Sequence, residues 1–380
     1  MYGNISWVEA ELVSLCIQIS EPLILWGMDG EAKTASATAI AEALGYHVET
    51  VILGNEMPAD LAGIPVKVEH PESGEMVVVK VPKKPFYDAM ARQERGEKTV
   101  IFWDESNQST PLTQAVWQNI LSTWKVGPLQ FDRNFVSFIS AANPPGIATG
   151  ARNFKPPVCT RMMHAKFELP REVWLFGETH GWPTPSPQIL PENWEKNFTP
   201  AARGLVTGFI GSPGGVEFYR ETPENVTNWS RGVPRTWSRV RRVCAALLSL
   251  DAGDSLWRLA LQGIIPSAVE AFMEYRTLTT MVSVPDVLAD PEGCEIPARR
   301  DLAAALCSGL FTEVSSIGTV EAFNKAAIFA KRLYDSQMGE CCGPGMLRLA
   351  GNFPRPKKGE KFHPAWATWR PLGKALASRS

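Results

Sequence analysis

The chain has 380 residues, a length that accommodates two domains. Hydrophobic residues make up 44% of it and charged residues 21%, which is ordinary for a globular protein. The formal net charge of -2 argues against a general attraction to nucleic acid or to anionic membranes. The apolar runs are too short to span a bilayer, and the first residues lack the basic start of a signal peptide. We therefore predict a cytoplasmic protein without membrane insertion.

The first part of the chain predicts a helix followed by one βαβ unit. Apolar residues at helical spacing indicate an N-terminal helix over 6–20. The apolar run "PLILW" predicts a buried parallel strand, "KTASATAIAEAL" predicts a helix that ends at Gly45, and "YHVETVIL" predicts a second strand. The segment "GMDGEA" therefore connects a strand to a helix.

The α/β pattern continues to about residue 170. Two apolar runs on either side of "PESG" predict a β-hairpin, and "PFYDAMARQERG" predicts a helix. "TVIFWDES" and "FVSFISAANPP" predict two more buried strands. Between them lie a predicted helix, "TPLTQAVWQNILSTW", and a predicted small hairpin in "VGPLQFDRN".

Beyond that point the character of the sequence changes. Pro-rich and polar residues predict a linker over 176–200, and helical patterns dominate 201–340. The basic, Pro-interrupted segment 341–380 predicts an extended or partly mobile tail. The predicted organisation is thus an α/β nucleotide-binding domain over 1–175, the linker, an all-α domain and the tail.

The loop after the first strand departs by one residue from the phosphate-binding pattern GxxxxGK[ST]. Gly27 opens the loop, and Lys33 and Thr34 close it, but Ala32 occupies the position of the last glycine. We expect Ala32 to have right-handed helical backbone angles, which are open to alanine, and its methyl group to loosen the fit of the phosphates. Gly27 and Gly30 keep the conformational freedom that such a loop needs.

Two carboxylates, Asp104 and Glu105, follow the apolar strand "VIFW". In open parallel sheets ligands bind at the carboxyl ends of the strands, so these acids should face the same edge as Lys33 and Thr34. The combination suits hydrolysis of a nucleoside triphosphate. Lys33 neutralises the β- and γ-phosphates, Thr34 and Asp104 hold Mg²⁺, and Glu105 polarises the attacking water.

Asp29 and Glu31 add two negative charges to a loop that would receive a polyanion. Their side chains could point to solvent, where screening makes the repulsion small. They could instead weaken binding by about 1 kcal/mol, or Asp29 could form a salt bridge with a neighbouring subunit. The sequence leaves these alternatives open.

Over residues 22–250 the motifs resemble, in order, those of the MoxR-like AAA+ ATPases, which are P-loop NTPases with an insert in helix 2. "GMDGEAKT" resembles Walker A, "VKVEHPESGEMVVVKV" the insert, "VIFWDES" Walker B, "FISAANPP" the sensor 1 strand and "GVPRTWSRVRRV" the sensor 2 helix. The resemblance implies a parallel-sheet α/β core followed by an all-α lid domain, with ATP and Mg²⁺ as ligands. It also implies a homo-oligomeric, hexameric ring and a client or von Willebrand factor A-type partner protein.

The resemblance implies roles for further residues. Asn143 would align the attacking water with Glu105, and Arg235 would reach the γ-phosphate from the lid. Arg161 in "CTRMMH" would be the arginine finger presented to a neighbour's nucleotide. That segment lacks the family's asparagine and phenylalanine, so Arg152 is a rival for the same role.

Three functions remain open at this level. The leading hypothesis is ATP hydrolysis coupled to remodelling of, or chaperone-like action on, a partner protein. The second is a degenerate nucleotide-binding or structural ring or filament subunit with little or no hydrolysis, which Ala32, Asp29 and Glu31 favour. The third is a DNA-dependent motor. The basic stripe of Arg235, Arg239 and Arg242 could contact DNA, although such a stripe beside a nucleotide site more often contacts phosphate or an intersubunit carboxylate.

Overall fold

The computed structural model describes residues 7–145, 151–182, 184–212, 214–222, 229–280, 284–351, 354 and 359–369. Contacts within the chain divide it into two compact units. The first comprises Met1–Glu195 and Glu221–Ser267, and the second comprises Lys196–Arg220 and Ala268–Ser380. Within the described ranges, no helix is long and apolar enough to cross a membrane.

The helices and strands follow one another as α1 (Val8–Gln18), β1 (Leu23–Trp26), α2 (Lys33–Ala43), β2 (Tyr46–Ile52), α3 (Pro58–Ala62), β3 (Ile64–Glu69), β4 (Met76–Val81), α4 (Lys84–Glu94), β5 (Lys98–Asp104), α5 (Pro111–Thr123), β6 (Lys125–Val126), β7 (Leu129–Gln130), β8 (Val136–Ala142), α6 (Pro156–Cys159), β9 (Met163–Lys166), α7 (Arg171–His180), α8 (Trp194–Gly211), α9 (Pro234–Ser249), α10 (Asp254–Gln262), α11 (Val269–Thr280), α12 (Val284–Ala289), α13 (Arg300–Ile317), α14 (Val320–Asp335) and α15 (Gly343–Gly351).

The first unit is built on a five-stranded parallel sheet with the spatial order β2-β5-β8-β1-β9. Every residue of β1 and β8 is buried, as expected of central strands that are covered on both faces. Two antiparallel hairpins, β3-β4 and β6-β7, lie outside this sheet where the sequence predicts them. Together with the helical second unit, this topology confirms the predicted fold class, a parallel α/β core followed by helices.

Aromatic packing holds the end of β5 in the core of the first unit. The ring of Trp103 lies 5.8 Å from Phe86 of α4, 6.2 Å from Trp117 of α5 and 6.0 Å from Phe138 of β8, measured between centroids. All four side chains are buried. Because Trp103 directly precedes Asp104, this packing determines where β5 leaves the core and where its terminal carboxylate is placed.

Helices α9 and α10 belong to the first unit, although the sequence boundaries place them in the helical domain. Arg239 of α9 donates through Nε to Oε1 of Glu21 at 2.6 Å, and Arg242 donates to Glu195 at 3.2 Å. The carbonyl of Gly263, just after α10, accepts from the N–H of His164 in β9 at 3.0 Å. The pattern of apolar residues predicts that α9 and α10 are helical. It does not predict these polar contacts, which attach the two helices to the first unit.

The second unit is all helical among its described residues. Its core is formed by α13 and α14 and includes Leu310, Phe323 and Leu333. Trp366 and Trp369 are buried in the same cluster, and α15 packs against α13 and α14. The segment 343–369 therefore contributes a helix and two core tryptophans where the sequence predicts an extended tail. Residues 352–353, 355–358 and 370–380 of that predicted tail lie outside the described residues.

Candidate functional site

Two glycines shape the loop between β1 and α2. A Cβ atom at Gly27 would lie 2.4 Å from the carbonyl oxygen of Phe167, too close for any other residue. Gly30 has a φ of +83°, which residues with side chains rarely adopt. The N–H of Gly27 donates to the carbonyl of Ala142 at 3.2 Å. The start of the loop is therefore held against the carboxyl ends of β8 and β9.

The backbone at Ala32 corrects the sequence prediction. Ala32 is the N-cap of α2 and is left-handed, with φ 55° and ψ 28°. The N-cap lies outside the helix, so the helical angles expected for this position do not apply. A left-handed conformation costs a residue with a Cβ about 1–2 kcal/mol, and the glycine of the usual pattern avoids that cost. Ala32 therefore strains the loop at the point where it enters α2.

Lys33 extends from the start of α2 back over the loop. Its Nζ donates to the carbonyl oxygens of Gly27 at 2.7 Å and Met28 at 2.8 Å, and to Oδ1 of Asn143 at 3.0 Å. Partial burial lowers the pKa of the ammonium group, and nearby acidic side chains oppose this shift. The lysine cation is thus held at the carboxyl edge of the sheet, next to the residue that follows β8.

Thr34 and Asp104 are close enough to share a ligand. Thr34 Oγ1 donates to Oδ2 of Asp104 at 3.0 Å, and the N–H of Glu105 donates to Oδ1 at 2.9 Å. Hydroxyl and carboxylate oxygens suit Mg²⁺, which usually takes one or two protein groups beside substrate phosphates. In the part of the chain that the structure describes, no cluster of three or more His, Cys, Asp or Glu could hold a metal. Thr34 and Asp104 can offer two oxygen ligands to a magnesium ion that binds together with phosphate.

Glu105 lies at the rim of the same site in an unusual backbone conformation. Its φ is 48° and its ψ is 38°, and its side chain is exposed. Non-glycine residues in this conformation concentrate at functional sites. The left-handed turn carries the chain out of β5 and into a short 3₁₀ helix, Ser106–Gln108, and leaves the carboxylate accessible to solvent. An exposed carboxylate in this place can accept a proton from water.

Asn143 connects Lys33 to an acid of the loop. Its Oδ1 accepts from Lys33, and its Nδ2 donates to Oδ1 of Asp29 at 2.7 Å. Glu31 turns elsewhere, since its Oε2 accepts from the backbone N–H of Leu169 at 2.8 Å. Both acids of the loop therefore have partners within the chain.

These side chains surround a cavity of about 390 Å³ at the carboxyl edge of the sheet. The ammonium, the hydroxyl, the amide and the two carboxylates predicted from the sequence are thus brought together. The cavity is lined by Asp29, Gly30, Glu31, Ala32, Lys33, Thr34, Ala35, Asp104, Glu105, Ala141, Ala142 and Asn143.

Arg161 and Arg235 line a different cavity, of about 440 Å³. Arg161 donates to Oγ of Ser122 and to the carbonyl of Pro157. Burial, and after it the neighbouring Arg235, lowers the pKa of Arg161. Three further arginines face the same cavity: Arg133, Arg239 and Arg242. It is therefore strongly basic.

This basic cavity lies at the opposite edge of the sheet from Lys33. Pro22 directly precedes β1, and Arg133 and Arg161 precede β8 and β9, so these lining residues mark the amino ends of the strands. The structure therefore does not bring Arg235 to the phosphate site of its own chain, where the sequence places it. Arg235 belongs to α9, which packs in the first unit beside Arg161.

Arg152, the rival of Arg161, lies at the carboxyl edge. Its backbone N–H donates to the carbonyl of Asn107 at 3.0 Å, and Nδ2 of Asn107 donates to the carbonyl of Asn143 at 2.8 Å. The two candidate arginines thus occupy opposite edges of one sheet. Sequence reasoning missed Arg133, which stacks on Trp124 at 3.9 Å, because it lies in a turn without a recognisable motif.

A buried histidine supports the base of the loop. Trp26 Nε1 donates to His164 Nδ1 at 3.1 Å, and His164 Nε2 donates to the carbonyl of Cys159 at 3.0 Å. The indole can only donate, so the imidazole proton is on Nε2. Burial lowers the pKa of His164 to about 3. The neutral ring therefore holds Trp26 directly before Gly27.

Comparison of the chain with known proteins finds a likeness in structure but none in sequence. No protein-family model matches it, and no curated protein matches it. A solved structure with a similar fold is that of a "putative ATPase" from Cytophaga hutchinsonii. The two chains are 16% identical, the match covers 70% of this chain and 88% of the other, and the TM-score is 0.46. A likeness of this degree carries no inference about activity.

Replacing Ala32 with glycine should stabilise the protein. The change removes the left-handed strain, so we expect the free energy of unfolding to rise by about 1 kcal/mol, measured by urea denaturation. Ala35→Gly in the first turn of α2 is the matched control, because Ala35 is exposed and helical. It should lower stability by about 1 kcal/mol. Equal losses in both variants would contradict the strain at Ala32.

The free energy of unfolding should decrease as the pH is lowered, because His164 is buried in its neutral form. Its folded pKa, about 3, is below the unfolded value of 6.5, so its contribution is complete above pH 6.5 and is lost as the pH falls toward 3. Between pH 8 and pH 5 this one group should cost about 2 kcal/mol, measured by denaturant titration. His164→Gln should remove this part of the slope, and His47→Gln, at an exposed site, should keep it. An unchanged slope in His164→Gln would refute the assignment.

Proposed function

We propose that the protein is a Mg²⁺-dependent ATPase of the MoxR-like AAA+ type that acts on a partner protein. One observation carries the proposal: an ammonium, a hydroxyl, an amide and two carboxylates line one cavity at the carboxyl edge of a parallel sheet. Lys33 and Asn143 are joined by a hydrogen bond there, as are Thr34 and Asp104. Phosphates bind at this edge of open α/β sheets, against a glycine-bearing loop and a helix N-terminus.

Different residues of the site contact the phosphates and the metal in this proposal. Lys33 neutralises the charge of the β- and γ-phosphates, and the first N–H groups of α2 are free to donate because Ala32 provides no side-chain cap. Thr34 and Asp104 would hold magnesium, which when bound would supply further charge neutralisation. The two hydrogen-bonded pairs in the cavity thus correspond to a phosphate position and a metal position.

Glu105 and Asn143 carry the hydrolytic step. The Asn143 amide positions a water in line with the γ-phosphorus, and the Glu105 carboxylate accepts a proton from that water. The water oxygen forms a bond to the γ-phosphorus as the bond to the ADP oxygen breaks, so the products are ADP and phosphate. The exposed position of Glu105 at the rim leaves room for the water.

We further propose that the chain forms a ring, hexameric as the resemblance implies, in which Arg161 and Arg235 serve the nucleotide of the next copy. Both lie at the amino edge of the sheet, across from their own phosphate site. Two adjacent guanidinium groups at a basic cavity suit the charge that develops on a transferred phosphoryl group. A client or von Willebrand factor A-type partner belongs to the same proposal.

A degenerate nucleotide switch is the second candidate. The methyl group that Ala32 adds to the loop and the contact of Asp29 with Asn143 favour it, because both oppose close binding of phosphate. Such a protein would bind ATP and change its assembly without releasing phosphate.

Glu105→Gln should separate binding from hydrolysis. The amide keeps the shape of the side chain but cannot accept the proton, so phosphate release should fall at least about 100-fold, while Mg²⁺-ATP affinity stays within about threefold. Phosphate release and calorimetry measure the two effects. Glu94→Gln, an exposed change at the end of α4, should alter neither. Turnover unchanged in Glu105→Gln would refute the role of Glu105, and binding without turnover in the unmodified chain would favour the switch.

Mixing two inactive variants tests whether Arg161 of one copy acts on the nucleotide of the next copy. Arg161→Ala should lose turnover because it cannot supply the finger, and Glu105→Gln because it lacks the base. In a mixed ring, Glu105 of one copy can meet Arg161 of the next, so a 1:1 mixture should hydrolyse ATP faster than either variant alone. As the control, one of the two single variants is replaced in the mixture by the double variant Arg161→Ala/Glu105→Gln. This mixture should not hydrolyse ATP faster than the single variants do. Absence of rescue in mixed assemblies confirmed by native mass spectrometry would exclude a trans role for Arg161.

A further inference from the structure

An acid in the phosphate-binding loop contacts the residue that the proposed mechanism assigns to the attacking water. Oδ1 of Asp29 accepts from Nδ2 of Asn143 at 2.7 Å, and Oδ1 of Asn143 accepts from Nζ of Lys33 at 3.0 Å. The orientation of the amide is determined, because the ammonium only donates and the carboxylate only accepts. Asp29, Asn143 and Lys33 therefore form one connected chain of hydrogen bonds.

The protons of Lys33 already have acceptors within this network. Nζ has three protons, and its three acceptors are the carbonyls of Gly27 and Met28 and the Asn143 amide. Among the charges that favour the ammonium form of Lys33, Asp29 contributes most. The donors that would face a γ-phosphate are thus satisfied from inside the chain.

The side chains of Asp29 and Glu31 differ in how freely they can leave the phosphate site. Asp29 is exposed and lies next to Gly30, so its side chain can turn outward without disturbing buried groups. Glu31 is bound elsewhere, at 2.8 Å from the N–H of Leu169 beyond β9. Of these two acids, Asp29 is therefore the one that contacts the Asn143–Lys33 pair.

We propose that the Asp29 carboxylate is an internal competitor for the phosphates of the nucleotide. It holds Asn143 and, through it, Lys33 in the nucleotide-free chain, and it withdraws when a triphosphate binds. The inference rests on the nucleotide site proposed above. A carboxylate and a phosphate carry charge of the same sign and accept from the same donors, so both cannot occupy this position without strong repulsion. Asp29 therefore lowers the affinity for nucleotide.

The charge of Asp29 can be removed without changing its shape. In Asp29→Asn we expect the affinity for a non-hydrolysable ATP analogue with Mg²⁺ to increase about tenfold, measured by calorimetry. Affinity for inorganic tripolyphosphate with Mg²⁺ should increase equally, because the competition is for phosphate and not for the base. Glu31→Gln removes the same charge two residues away and should change either affinity by less than about threefold. Thermal unfolding of each variant checks that the fold is kept.

The outcomes separate this inference from the proposed function. Equal gains in Asp29→Asn and Glu31→Gln would overturn it, since a general charge effect would then suffice, and weaker binding in Asp29→Asn would overturn it as well. Asp29→Ala, which also removes the bond to Asn143, should bind at least as tightly as Asp29→Asn. Loss of binding in Lys33→Ala without a gain in Asp29→Asn would reject only the role of Asp29. Unaltered binding in Lys33→Ala would reject the nucleotide site itself, and the competitor with it.

Discussion

The register of three parallel strands is the constraint on which the candidate site depends. β1 and β8 pair so that Trp26 lies opposite Ala142, and the residues that follow them, Gly27 and Asn143, leave the sheet side by side. β5 and β8 pair so that Trp103 lies opposite Ser140, which brings Asp104 to the same edge. A slip of one residue would turn every side chain of a strand to the opposite face of the sheet. The buried aromatic packing that resists such a slip therefore also positions the polar side chains.

The charge distribution at this edge indicates the form in which a nucleotide would bind. Among the described residues that line this cavity, one cation, Lys33, accompanies four carboxylates: Asp29, Glu31, Asp104 and Glu105. A triphosphate alone would meet a site with net negative charge, whereas magnesium brings two positive charges to the Thr34–Asp104 pair. The site is therefore better suited to the metal complex of the nucleotide than to the free nucleotide. Glu31 matters less in this balance, because its carboxylate is bonded to the backbone at Leu169.

Much of this arrangement could be predicted from the sequence because strands carry a strong local signal. Strands are indicated by the apolar runs that directly precede Gly27, Asp104 and Asn143. Parallel strands bring their carboxyl ends to one edge of the sheet. The backbone at Ala32 could not be predicted, since the angle of one loop residue depends on how the loop closes on α2. The position of Arg235 could not be predicted either. Helical periodicity identifies α9 but not its neighbours. Ion pairs of Arg239 with Glu21 and of Arg242 with Glu195 help to join α9 to the first unit.

The placement of opposite charges at opposite edges of the sheet restricts how copies of this unit could assemble. The acidic cavity with Lys33 lies at the carboxyl edge, and the basic cavity with Arg161 and Arg235 lies at the amino edge. A two-fold symmetric contact through either edge would place like charges together around its axis. A head-to-tail contact places the basic edge of one copy against the acidic edge of the next, and such contacts close into rings or continue as filaments. This charge pattern is compatible with both proposed functions, a hydrolytic ring and a nucleotide-dependent filament. What separates them is chemical: whether the carboxylate of Glu105 and a guanidinium of the next copy reach the same phosphate.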